Sequence, residues 1–135
     1  MIAHLNGDFE TVDYALNRSV LLYDNIEKEE YPLHWHNAIE IIMPLTNGFE
    51  GTCSGKEFHL NERDILIIPA GSLHKLNAQS GRRLILLFDN NSFNGNPALS
   101  ELYSVISEPI IINSDFDKKF LHAMNKIFEE IYVLY

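Results

Sequence analysis

The sequence predicts an all-β barrel or sandwich followed by one amphipathic helix, and three observations carry that prediction. From Arg18 to Phe88, short apolar runs recur at intervals of about 8–12 residues with turn residues between them, the spacing of sandwich and barrel strands. Helical patterns do not alternate with these runs, which argues against a parallel α/β sheet. After Ser114 the apolar residues recur every three or four positions instead of every two, the signature of a helix with one greasy face.

Residues 1–17 alternate weakly around Gly7 and Asp8 and read as an arm with one or two short strands. Arg18 to Tyr23 is a strand, and Asn25 to Pro32 a charged, solvated loop containing Glu27, Lys28, Glu29 and Glu30. Pro32 is tolerated at the start of the next strand, which runs on through Ala38 to Leu45. Thr46-Asn47-Gly48 turns the chain into the strand Phe49–Cys53. Ser54-Gly55-Lys56 turns it again into Glu57–Leu60. Ile65-Leu66-Ile67-Ile68 is a buried strand that stops at Pro69-Ala70-Gly71, and Leu73–Gln79 and Arg83–Phe88 are two more. Asn90 to Pro97 is a polar loop, Ala98 to Ser107 a short helix and Pro109 to Asn113 a short strand. Ser114 is the expected N-cap of the last helix, with Asp115 and Asp117 in its first turn. Its stripe is Phe116, Phe120, Met124, Ile127, Ile131 and Leu134, widened by Leu121, Phe128 and Tyr135. Such a stripe suits a helix that covers the barrel and equally one that pairs with a second copy.

Composition narrows the function. At 135 residues the chain is one domain, able to bury roughly two-thirds of its unfolded surface. A net charge of −9 repels phosphate backbones and makes the segment a poor nucleic-acid binder. Cys53 stands alone and so forms no internal disulfide, which fits a reducing compartment. The first ten residues lack the basic-then-apolar pattern of a signal peptide, and no apolar run reaches the ~18 residues of a membrane helix. The expectation is a soluble, cytoplasmic protein without a membrane partner. The helix runs to Tyr135 with no Gly or Pro stop, so a further domain is expected to follow.

The chemistry concentrates in His34-Trp35-His36-Asn37-Ala38-Ile39-Glu40. In one extended strand, His34, His36, Ala38 and Glu40 share a face and Trp35 points to the other, toward core packing. Two imidazoles and a carboxylate on one face form half of a metal site. His74, one hairpin later, can be carried opposite them by antiparallel pairing. His34, His36, Glu40 and His74 together would suit Zn²⁺, Fe²⁺, Mn²⁺, Ni²⁺ or Cu²⁺, or would form a hydrogen-bonded polar patch without metal. Cys53 reads as a small buried hydrophobe, and His4, His59 and His122 as structural or surface residues without partners.

Two stretches, His34-x-His36-x3-Glu40 and Pro69-x-Gly71-x2-His74, resemble the two cupin motifs over about residues 20–90. The four candidate ligands fill the family's four metal-ligand positions. Lys28 and Arg63 stand where the motifs carry Gly, Gly48 lies one residue late and Asn77 one residue early. The resemblance implies a double-stranded β-helix, the jelly-roll barrel. With the carboxyl-terminal helices, the whole chain resembles the amino-terminal half of AraC-type transcription regulators. That likeness implies an effector-sensing barrel over residues 1–113 and the start of a dimerisation and connector helix over 114–135. It also implies a small-molecule effector, a homodimer through the helix, and DNA contact only through a domain absent from this chain. The rival expectations are a small metal-dependent cupin enzyme, an isomerase or dioxygenase, and a non-catalytic metabolite-binding cupin.

Overall fold

The computed structural model describes residues 4–14, 18–26, 30–77, 80–89, 91 and 95–135. Most of the charged loop (Glu27, Lys28 and Glu29) and most of the polar loop over 90–94 lie outside the described residues. The elements are β1 (His4–Asn6), β2 (Phe9–Thr11), β3 (Val20–Asn25), β4 (Tyr31–His34), β5 (Ala38–Pro44), β6 (Phe49–Cys53), β7 (Lys56–Leu60), β8 (Ile65–Ile68), β9 (His74–Leu76) and β10 (Arg83–Asp89), then α1 (Pro97–Ser104), β11 (Ile110–Ile112) and α2 (Lys118–Leu134). The chain is therefore mostly β, as the spacing predicts.

Two antiparallel sheets form the body: a five-stranded one ordered β11-β8-β5-β10-β3 and a four-stranded one ordered β4-β9-β6-β7. A separate hairpin joins β1 to β2. Local chemistry sets the turns. Cys53 pairs with Lys56 across Ser54 and Gly55, both at positive φ (50° and 79°), the backbone that two-residue hairpins require. Asn47 and Gly48 take the same conformation between β5 and β6. Arg63, standing where the cupin motif has Gly, still adopts a left-handed φ of 69°, a strain of about 1–2 kcal/mol that a glycine would relieve.

Strand alternation divides the interior. Ile42, Ile85, Leu66 and Ile68 from the five-stranded sheet meet Tyr31, Phe49, Cys53, Phe58, Leu60 and Leu76 from the four-stranded one. Met43, Leu84, Leu86, Ile65 and Ile112 point the other way and are covered by Phe128, Leu121, Met124 and Ile131 of α2. The layers are thus sheet, sheet and helix.

The last helix departs from expectation at two points. Its N-cap is Asp117, not Ser114: the Asp117 carboxylate accepts from the backbone N–H groups of Lys119 and Phe120 at 2.8 and 3.1 Å. Asn113 instead caps the preceding turn, accepting from Asp115 and Phe116. The apolar stripe also divides. Leu121, Met124, Phe128 and Ile131 pack on the sheet, whereas Phe116, Phe120, Ile127, Leu134 and Tyr135 stay exposed. Spacing alone does not show which edge of a wide stripe meets the sheet; the residues of the sheet decide it. No helix among the described residues is long and apolar enough to cross a membrane.

Candidate metal centre

The predicted strand through Pro32 and Leu45 is two strands in two sheets. β4 ends at His34, the chain bends at Trp35–Asn37, and β5 begins at Ala38 in the other sheet. His34 therefore sits on the four-stranded sheet, His36 in the corner and Glu40 on the five-stranded sheet. The side chains still converge, because the corner turns His36 inward between the layers. His74 comes from β9, in register with His34 across the β4–β9 pair. All four residues are buried, and their ligand atoms lie within 4.8 Å of one another. The four candidate residues converge, but from two sheets and the corner between them and not from one strand.

Trp35 also departs from expectation. It does not enter the core. It is half-buried under the β1–β2 hairpin, with its ring 4.7 Å from that of Phe9 and its indole N–H donating to Asp8 Oδ1 at 3.3 Å. His59, expected to lack a partner, pairs across β6–β7 with Glu50 at 2.9 Å on the exposed face. Cys53 is the buried apolar residue expected.

The orientation of the three imidazoles follows one rule. His34 Nδ1 lies 2.7 Å from the Pro32 carbonyl, His36 Nδ1 3.0 Å from the Ala38 carbonyl and His74 Nδ1 2.8 Å from the Ser72 carbonyl. A carbonyl only accepts, so each Nδ1 carries the proton and donates it. That fixes each ring and turns each Nε2 toward the interior, the arrangement that supports metal-bound histidines. His36 Nε2 and His74 Nε2 both meet Glu40 Oε2, at 2.9 and 3.0 Å. The loop between β8 and β9 is tied to the same corner, since the Gly71 N–H donates to the His36 carbonyl at 2.8 Å.

Electrostatics inside this cluster are tightly coupled. Burial opposes ionisation of Glu40, but the facing His74 and His36 outweigh it and hold the carboxyl well below the usual range. Burial likewise disfavours a charged His36, and contact with Glu40 overcomes it and raises the His36 pKa. The donor set itself fits a divalent transition metal: three Nε2 atoms and one carboxylate oxygen, desolvated and pre-aimed. An ion held there would supply a buried positive charge able to polarise a bound oxygen or nitrogen donor.

Sequence reasoning missed one buried neighbour of the cluster. Glu10, on β2, is buried and places Oε2 3.0 Å from His34 Nε2. No spacing rule links an arm residue to a motif more than twenty positions away. The only local signal is a lone carboxylate between Phe9 and Thr11 in a short strand-like run.

Neither a family model nor a curated protein matches the chain. Among solved structures, it is similar to one concerned with the Mn(II) centres of Bacillus subtilis oxalate decarboxylase, at 25% identity and a TM-score of 0.43. That likeness covers 57% of this chain but only 22% of the decarboxylase. A Photorhabdus luminescens protein is similar at 18% identity and a TM-score of 0.42, over 75% of this chain and 90% of that one. Both superpositions are partial, so the functional reading rests on the chain's own geometry.

Proposed function

We propose that this chain is the effector-sensing barrel of an AraC-type transcription regulator, a cupin-type jelly roll in which a divalent transition metal held by His34, His36, Glu40 and His74 anchors a small molecule. The observation that carries the reading is the convergence of those four side chains in one buried space, with every imidazole pinned through Nδ1. An effector that binds differently to two arrangements of the domain shifts their populations. The exposed edge of α2 supports pairing with a second copy, and the net charge of −9 argues against direct DNA contact by this segment.

The test is metal analysis of protein purified without added metal, followed by Zn²⁺ titration. Wild type is expected to carry or take up one equivalent, and His36→Ala to lose at least ~100-fold in affinity, as deletion of a buried ligand should. Absence of metal, together with wild-type Zn²⁺ affinity in His36→Ala, overturns the reading. The completeness of the ligand set also favours a second reading, a small metal-dependent enzyme such as an isomerase or dioxygenase. Turnover by the metal-loaded domain alone would select it, and ligand binding without turnover would select the sensor.

A further inference from the structure

We propose that Glu10 is a fifth protein ligand to the divalent ion at His34, His36, Glu40 and His74, delivered from the β1–β2 hairpin. The inference rests on the metal reading above and adds a residue outside the motif strands.

Three observations converge on it. The first is position. Glu10 Oε2 lies 3.0 Å from His34 Nε2, the same atom of His34 that faces the interior. Metal–ligand bonds of about 2.0–2.2 Å put neighbouring ligands at right angles about 3.0 Å apart, and opposite ligands about 4.2 Å apart. The contacts Glu10–His34, His36–Glu40 and His74–Glu40, at 3.0, 2.9 and 3.0 Å, all match the right-angled spacing. The four motif ligands lie within 4.8 Å of one another, and Glu10 stands outside that group, beside His34, so its carboxylate would move inward to complete the shell.

The second is charge. Glu10 and Glu40 are both buried, at 7% and 4% exposure. Two buried carboxylates facing three Nε2 atoms require about two positive charges, because an unpaired buried carboxylate is strongly disfavoured. A divalent ion with three neutral imidazoles supplies that charge and leaves the site neutral. With one carboxylate the same site would hold a net positive charge in a low dielectric.

The third is the precision with which the arm is held. Glu10 N–H donates to the Trp35 carbonyl at 2.9 Å, and Trp35 N–H donates to the Asp8 carbonyl at 2.8 Å. Phe9 packs against the Trp35 ring at a tilt of 57°. Trp35 lies between His34 and His36 in the chain, so the residue that docks the hairpin also fixes its register against two ligands. A mixed set of three imidazoles and two carboxylates suits five- or six-coordinate ions such as Mn²⁺ and Fe²⁺ better than four-coordinate Zn²⁺.

The experiment is calorimetric titration of wild type, Glu10→Gln and Glu10→Ala with Mn²⁺ and Co²⁺, with circular dichroism to confirm folding. The expected result is a loss on the order of 10–100-fold in Mn²⁺ affinity in both variants, with the visible Co²⁺ absorption strengthening toward the pattern of lower coordination number. Unchanged or increased affinity in Glu10→Gln, with the wild-type Co²⁺ spectrum, overturns the proposal while leaving the four-residue metal site standing. Failure of wild type to bind either ion overturns both. If the variants do not fold, the crystal structure of the Mn²⁺-loaded wild type decides: a Glu10 oxygen at about 2.0–2.2 Å from the ion supports it, and one beyond bonding distance overturns it.

Discussion

On β5, Glu40 and Ile42 face the four-stranded sheet, whereas Ile41 and Met43 face α2. Both sides of this strand are packed, and they are chemically opposite. The helix side is hydrocarbon throughout, from Met43, Leu84 and Leu86 to Phe128. The inner side carries a carboxylate two residues from Ile42, in contact with two imidazoles. Apolar burial stabilises without regard to partner, while a buried charge is stable only beside its complement. The outer face should therefore set how firmly the domain folds, and the inner face what it binds.

Phe128→Ala is the sharpest way to break this division. Phe128 is the one fully buried residue of α2, and its loss leaves a cavity over Met43 and Leu86. A stability loss of about 3–5 kcal/mol is expected in urea titration. The affinity of the folded protein for Zn²⁺ should be unchanged, since a sheet separates Phe128 from the cluster. A parallel loss of metal affinity would mean that the two faces are coupled through β5.

Glu40→Gln tests the opposite face at nearly constant volume. The amide has no charge to set against His36 and His74, so metal affinity should fall by about 10-fold or more. Without metal, with chelator present, the fold should lose about 1–3 kcal/mol, the cost of removing a charged partner from buried hydrogen bonds. Equal stability with and without Glu40 would mean that the cluster is held by its carbonyl contacts alone.

How far the chain announces this division depends on the range of the forces involved. The strands β6, β7, β8 and β10 were legible because hairpin turns such as Ser54-Gly55 are local, and alternation marks the buried face. The four candidate ligands that converge were legible because ligand chemistry restricts them to His and Glu at fixed steps. The crossing of the chain between sheets at Trp35–Asn37 was not legible: it has no Gly or Pro, and it follows from pairing with β9 and β10, which are remote in sequence. Glu10 was hidden for the same reason, since its partner is chosen by docking of the hairpin on Trp35. The cap at Asp117 was missed because Ser114 and Asp117 are both competent caps, and the turn built on Asn113 decides between them.

The smallest effect lies within the inner face itself. Cys53 on β6 is in register with His74, yet its side chain belongs to the apolar cluster with Phe49 and Leu60. Burial, reinforced by the charge on Glu40 and opposed by Ser54, pushes its thiol up to about 11. An unfolded thiol ionises near about 8.5. Between those values the folded state retains a proton that the unfolded state has lost, so stability falls as pH rises through that window. Below it the contribution is intact. Denaturation at several pH values should therefore show a downward slope above about pH 9 that is shallower in Cys53→Ala. Native protein should also label slowly with iodoacetamide at pH 8, because the thiolate is the reactive form. Fast labelling that added Zn²⁺ suppresses would place the Cys53 sulfur among the metal ligands, and the boundary between binding cluster and apolar core would then run on the far side of β6.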